Sequence, residues 1–156
     1  MKKIRNNIFE TNSSSTHAIC FGDDINNLPK SIRFDLDYFG RSDGFADRYD
    51  YLFTAICDYY GVGWEEKWNW VKDVLKKHGC EAINDVPKFA ESGWSLDYWG
   101  VDHSNELEEF LSAIVGNEDL LLKYLTSDKT FIEMSEDNGW ETYENCTLPH
   151  KFMKGN

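Results

Sequence analysis

The sequence predicts a single α+β domain spanning residues 1–156, with a mainly antiparallel sheet and about four helices. Segments with strand periodicity lie towards both ends of the chain, and segments with helical periodicity lie between them. Short turn signals separate the segments, without a linker or a repeat. A chain of 156 residues with 41% hydrophobic and 15% aromatic residues is long and apolar enough to bury a core.

Strands are predicted where apolar and polar residues alternate or where β-formers cluster between turns. Asp137-Asn138-Gly139 separates the last two, and Asn-Gly favours the primed turn of a hairpin. The first two flank a polar run and also suggest a hairpin. The predicted strands are residues 4–9, 18–21, 32–38, 80–83, 94–101, 130–134 and 140–146.

Helices are predicted where apolar residues recur every three or four positions. Glycines at 61 and 63 end the first helix, and the second has acids in its first turn and lysines in its last, which suits the helix dipole. Asn117 is a capping residue for the fourth. The predicted helices are residues 47–60, 64–78 and 106–115 and a short helix after Asn117.

The negative charge is concentrated in one part of the chain. The net charge is −12, and residues 89–145 contain 14 acids against Lys123 and Lys129. Such a field repels nucleic acid and anionic lipid and attracts basic protein surfaces. We therefore expect a partner protein with a basic surface, and neither direct nucleic-acid binding nor membrane association.

No apolar run reaches the length of a membrane span, and the N-terminus lacks the hydrophobic segment of a signal peptide. The sequence thus predicts a cytoplasmic protein, whose four cysteines are expected to be reduced.

A polar loop near the N-terminus is the first candidate ligand site. Consecutive hydroxyl and amide side chains ending in a histidine offer several hydrogen-bond donors to an anion, and an Asp-His pair further along could complete an acid–base pocket. The alternative is a serine-rich turn that satisfies only local backbone groups. The candidate residues are Glu10, Thr11, Asn12, Ser13, Ser14, Ser15, His17, Asp102 and His103.

A zinc site is a second, weaker candidate. His17-x-x-Cys20 and Cys146-x-x-x-His150 would together supply two cysteines and two histidines, a set that suits tetrahedral zinc. The alternative for Cys20 is an ordinary buried side chain within a strand. No other cofactor is expected.

The segment at residues 9–17, FETNSSSTH, resembles the N-terminal signature of a family of small uncharacterised proteins from bacteriophages and bacterial mobile elements. The segment from Gly100 to Ser104, with its Asp-His pair, resembles that family's second signature, and Asp137-Asn138-Gly139 resembles a third. The resemblance implies a setting in phage or mobile DNA, where many small acidic proteins disarm host defences. It implies no particular activity.

The acidic part of the chain also contains aromatic residues, and this combination suits a protein-binding face. Aromatic side chains supply contact area, while carboxylates steer the partner and occupy positions that phosphates would take. The alternative is an ordinary solvated surface. The candidate partner-binding residues are Asp97, Trp99, Glu106, Glu108, Glu109, Glu118 and Asp119.

Two functions remain in competition. The preferred one is a non-catalytic, anti-CRISPR-like inhibitor, encoded by a phage or mobile element, that binds a nucleic-acid-handling host defence protein in the host cytosol through the acidic surface. The alternative is a nucleotide-binding or other small-molecule-binding protein or hydrolase that uses the polar loop and Asp102-His103. The sequence has no phosphate loop, dinucleotide fingerprint or nucleophile elbow, which lowers the expectation of an enzyme without removing it.

Overall fold

The computed structural model describes residues 16–36, 44–45, 47–84, 105–135 and 150–154, and these residues form an α+β fold, as predicted. Its helices are α1 (Arg48–Tyr60), α2 (Trp64–Lys77), α3 (Asn105–Ile114) and α4 (Glu118–Thr126), with a 3₁₀ turn, Gly61–Gly63, between α1 and α2. Its strands are β1 (Thr16–Phe21), β2 (Ser31–Phe34), β3 (Gly44–Phe45), β4 (Glu81–Asn84), β5 (Phe131–Ser135) and β6 (His150–Lys154).

Side chains cap two of the helices at their N-termini. The Asp47 carboxylate accepts hydrogen bonds from the Tyr49 and Asp50 backbone N–H groups at 2.7 and 3.3 Å, and α1 begins directly after it. Asn117 accepts from the Leu120 N–H at 3.1 Å at the start of α4. These bonds satisfy donors that have no partner inside the helix. All four predicted helices are confirmed to within a residue or two at the ends that the sequence defined.

The strands lie in two small sheets, which corrects the prediction of a mainly antiparallel sheet. One sheet has the order β3-β5-β1-β6 with antiparallel neighbours, whereas β2 and β4 form a parallel pair. The physical reason lies in the connection. Parallel strands require a long crossover, usually helical, and α1 and α2 lie between β2 and β4 in the chain.

Strand β1 lies between β5 and β6 and pairs with both. Ile19 is opposite Ile132 of β5 and opposite Phe152 of β6. Ile19 and Ile132 are 3% and 1% exposed, so this face of the sheet forms part of the core. The sequence predicts strands that overlap β1, β2, β4 and β5, but none at β3 or β6. The predicted strands at residues 4–9, 94–101 and 140–146 lie outside the described residues.

Aromatic side chains fill the core between the helices. The Trp68 ring lies 4.6 Å from the ring of Phe53 on α1 and 4.8 Å from that of Phe34 on β2, measured between centroids. Its indole N–H donates to the Asn84 side-chain oxygen at 3.1 Å. Burial of this large side chain therefore joins α1, α2 and both parallel strands without leaving its polar atom unsatisfied.

A network of hydrogen bonds, here called the Ser127 latch, fastens the segment after β1 to the end of α4. We define the latch as Gly22, Asp24, Arg48 and Ser127. The Gly22 N–H donates to the buried Ser127 hydroxyl oxygen at 3.1 Å, and that hydroxyl donates to the Asp24 carboxylate at 2.7 Å. The Arg48 guanidinium donates to the Ser127 carbonyl at 2.7 Å. The latch therefore joins β1, α1 and α4.

Replacement of Gly22 by alanine tests the latch. An added Cβ would lie 2.5 Å from an Asp24 carboxylate oxygen and 2.9 Å from the Ser127 Oγ, and both atoms are held by hydrogen bonds that would have to break or stretch. We expect Gly22→Ala to lower the free energy of unfolding by about 1–3 kcal/mol, as overpacking does elsewhere. Chemical denaturation followed by fluorescence measures the change.

Gly63→Ala is the matched control, because a Cβ at Gly63 meets no atom within 4 Å and the backbone there has φ of −98°. Equal stability of Gly22→Ala and Gly63→Ala would show that the latch is loose enough to accept a methyl group.

Candidate functional site

The structure places only His17 among the candidate ligand-binding residues, and it lies in β1 opposite Met134 and Lys154. The convergence of the polar loop with the Asp-His pair therefore stays a prediction. The remaining candidates of this set, together with Asp97, Trp99 and Cys146, lie outside the described residues: Glu10, Thr11, Asn12, Ser13, Ser14, Ser15, Asp102 and His103.

Strands β1 and β6 place His150 beside the segment that contains His17 and Cys20. Phe21, next to Cys20, is opposite His150, while His17 is opposite Lys154 at the other end of the ladder. A separation of four residues corresponds to about 13 Å along a strand. Positions 17 and 20 also belong to opposite faces of the sheet, because successive strand residues alternate. Because Cys146 lies outside the described residues, the site with all four ligands stays a prediction.

The state of Cys20 bears on the same question. Cys20 is buried and disulfide-bonded, whereas Cys57 and Cys80 are free. The expectation that all cysteines are reduced is therefore wrong for Cys20. The prediction of reduced cysteines was based on the expected cytoplasmic location, and a location does not show which sulfur atoms the fold brings together. Because zinc binds thiolates, the predicted site would require the reduced chain, and it stays a prediction for that state.

Helix α3 exposes the first part of the predicted acidic surface. The side chains of Glu108 and Glu109 are exposed, and neither forms an ion pair with another described residue. Glu106 also belongs to α3. Burial raises the pKa of the neighbouring Tyr59 hydroxyl, and the negative charge of Glu108 and its hydrogen bond to Tyr59 raise that pKa further. Aromatic and carboxylate groups therefore meet where α1 ends beside α3.

Glu118 has a different environment, because two basic residues contact it. Lys77 is the last residue of α2, and His78 caps the C-terminus of that helix. The Lys77 ammonium lies 2.9 Å from one carboxylate oxygen, and the His78 Nε2 lies 2.8 Å from the other. This contact fixes the beginning of α4 to the end of α2. Glu118 therefore has a structural role, and its charge is offset by residues of the earlier part of the chain.

Asp119 is also paired, with Lys123 one helical turn later at 2.9 Å, and the same ammonium lies 3.5 Å from Asp23. Hydrogen bonding to Asp119 is the largest of the effects that raise the Lys123 pKa. Of the predicted partner-binding acids that the structure describes with side chains, only Glu108 and Glu109 lack a basic partner among the described residues. Among the described residues, the unpaired part of the predicted acidic surface thus consists of Glu108 and Glu109.

The sequence-based interpretation missed a cavity of about 510 Å³ whose lining includes three lysines. It lies between the segment before β2, the second half of α2 and the start of β4. Lys72 and Lys76 are spaced by one helical turn, a signal present in the sequence, but nothing in the sequence indicated that Lys30 would join them. The lining residues are Lys30, Lys72, Lys76, Gly79, Cys80, Glu81 and Ala82.

Within the described ranges, no group of three or more histidine, cysteine, aspartate or glutamate side chains is arranged to hold a metal ion. Helices in the same ranges are too short or too polar to span a bilayer. Comparison of the chain with protein-family models, with curated proteins and with solved structures found no match. The resemblance of the N-terminal signature to phage proteins therefore stays an expectation.

The contact between α2 and Glu118 predicts a pH dependence of stability. Hydrogen bonds from His78 and then Lys77 hold the Glu118 pKa below its ordinary value of 4.5. A carboxylate whose pKa is lowered by folding stabilises the folded state fully above the unfolded-state pKa, and this contribution disappears as the pH falls through the folded-state pKa. We expect Glu118→Gln to unfold more easily than the parent at neutral pH. The difference should shrink below pH 4.5.

Urea denaturation at a series of pH values measures this difference. Glu109→Gln serves as the control, because it removes an exposed carboxylate that has no ion pair among the described residues. A difference between Glu118→Gln and the parent that stays constant from neutral to acid pH would contradict the assignment of the effect to the charged contact.

Proposed function

We propose that this protein is a non-catalytic inhibitor that binds a basic surface of a host nucleic-acid-handling defence protein, in the manner of an anti-CRISPR protein. The proposed contact is the exposed acidic face of α3, here called the α3 face and defined by Glu108, Glu109 and the adjacent Tyr59. Glu106 of the same helix is a further candidate for it.

The proposal is supported mainly by a difference in ion pairing between the acidic residues of α4 and those of α3. Glu118 and Asp119 are each within 3 Å of a basic group, whereas Glu108 and Glu109 are exposed and have no ion pair among the described residues. Adjacent, unpaired carboxylates repel one another, and a solvated surface would usually intersperse bases among them. A cationic partner would relieve this repulsion.

The chemistry of the α3 face suits a site that normally holds nucleic acid. Channels that bind nucleic acid are lined by arginine and lysine, which contact phosphates. Carboxylates on a rigid helix can occupy the same positions, and a tyrosine beside them adds contact area of the kind that dominates binding energy at interfaces. Inhibition of this kind requires only occupancy, so the chain needs no catalytic groups of its own.

The biological setting of the proposal depends on the N-terminal signature. The FETNSSSTH segment at residues 9–17 resembles the signature of a family of phage and mobile-element proteins, and this resemblance implies a setting in which many small acidic proteins disarm host defences. A cytoplasmic location in the host cell is therefore part of the proposal. The net charge of −12 supports fast, electrostatically steered association with a basic target.

Displacement of labelled DNA from purified host defence nucleases, including CRISPR effectors, tests the proposal. We expect the protein to displace the DNA and its affinity to fall as salt increases, because screening weakens exposed charge contacts. The double substitution Glu108→Gln with Glu109→Gln should weaken the affinity by about four- to twenty-fivefold, the product of two exposed charge pairs. Fluorescence anisotropy measures the displacement.

The matched control is Glu65→Gln with Glu66→Gln, which removes the same charge from an exposed part of α2. This control should bind nearly as well as the parent. Failure to displace DNA from any member of the panel would overturn the proposal, and equal weakening by both double variants would exclude the α3 face as the contact.

A further inference from the structure

The lysine-lined cavity is opposite in sign to the net charge of this acidic protein. Lys30 approaches it from the segment before β2, Lys72 and Lys76 from α2, and Glu81 from the start of β4. Three lysines and one glutamate thus line a space of about 510 Å³. A volume in the range of roughly 300–1,000 Å³ is typical of sites for small molecules.

The three lysines of the cavity have no carboxylate partner among the described residues, and Glu81 forms no ion pair with them. Other lysines of the same structure do have such partners: Lys77 contacts Glu118, Lys123 contacts Asp119, and Lys67 contacts Glu66. In a chain with 28 acidic and 16 basic residues, carboxylates are abundant. Three unpaired lysines around one cavity therefore suggest that an anion supplied from outside occupies it.

Helix electrostatics explain only part of this arrangement. Lys76 lies in the last turn of α2, where the partial negative charge of the helix end favours a cation. Lys72 lies a turn earlier, where this effect has declined, and Lys30 does not belong to the helix. Stabilisation of α2 thus accounts for one of the three lysines and leaves the convergence of the others unexplained.

We propose that this cavity binds a small polyanion that carries two or more adjacent phosphate or carboxylate groups. Lysine ammonium groups act as mobile point charges, which suits flexible phosphate chains better than a single planar carboxylate. With three lysines and Glu81, the lining side chains have a net charge of about +2 at neutral pH. The Glu81 carboxylate therefore limits how much negative charge a bound ligand can bring.

The cysteine that lines the cavity, Cys80, favours binding without reaction. Cys80 is 2% exposed, and burial raises the pKa of its thiol. A thiol in this state is a poor nucleophile, because the thiolate is the reactive form. The inferred site shares no residue with the α3 face, so the two proposals can fail independently.

Titration calorimetry with inorganic phosphate, pyrophosphate and tripolyphosphate tests the inference directly. We expect affinity to rise in that order, because each added phosphate gives the lysines another partner, and to fall as salt increases. Lys72→Gln and Lys30→Gln should each weaken tripolyphosphate binding by about two- to fivefold, the range for one exposed charge pair. Lys30→Gln lies outside the helix and therefore leaves α2 intact.

Lys67→Gln is the matched control, because Lys67 belongs to the same helix but does not line the cavity. Backbone amide shifts measured by nuclear magnetic resonance provide the location, and tripolyphosphate should move the signals of Gly79 and Ala82. Equal losses in all three variants, or no shift at these residues, would overturn the inference. A single-stranded oligonucleotide that binds more tightly than tripolyphosphate would replace it with a nucleic-acid site.

Discussion

The C-terminal end of α4 lies inside the protein, and the rest of the fold depends on how its carbonyl groups are satisfied. The last carbonyls of a helix lack partners within the helix, and a buried carbonyl without a donor is costly. Arg48 supplies donors to the carbonyls of Leu125, Ser127 and Thr130 at 3.4, 2.7 and 3.3 Å. In return, the Tyr124 hydroxyl donates to the Arg48 carbonyl at 2.6 Å. This reciprocal contact fixes α1 against α4 and thereby positions both the aromatic core and the sheet.

The same constraint determines which charges are paired. With α4 fixed, Glu118 meets Lys77 and His78 at the end of α2, so one acid and two bases are removed from the charges available to ligands. Among the described residues, Glu108 and Glu109 of α3 stay unpaired, and so do the three lysines that line the cavity beside β4. In the described part of the chain, packing of the helices therefore leaves an acidic pair on α3 and a group of lysines beside β4, a local difference that the net charge does not reveal.

The sequence predicted the helices well because their signals are local. Periodicity, Asn117 as a cap, and the glycines after α1 all act within one or two turns. Asp47, which the sequence placed inside the first helix, is its N-cap. The parallel pairing of β2 with β4 and the strands β3 and β6 were not predictable in this way, since each depends on a partner far along the chain. The candidate-site residues show the same difference between local signals and contacts made far along the chain. Glu108 and Glu109 were found from composition, whereas the pairing of Glu118 and the approach of Lys30 to α2 depend on tertiary structure.

A basic cavity and an acidic face can coexist on one small protein because electrostatic fields are short-ranged in salt. The Debye length is about 8 Å at physiological ionic strength, so a small anion near Lys30 and Lys72 responds mainly to those ammonium groups. A large partner that approaches the α3 face interacts with charges over a wider area, and the net excess of acids therefore attracts it. Under the two proposals, these surfaces would select ligands of different size as well as different sign, and a net charge of −12 would steer one without excluding the other.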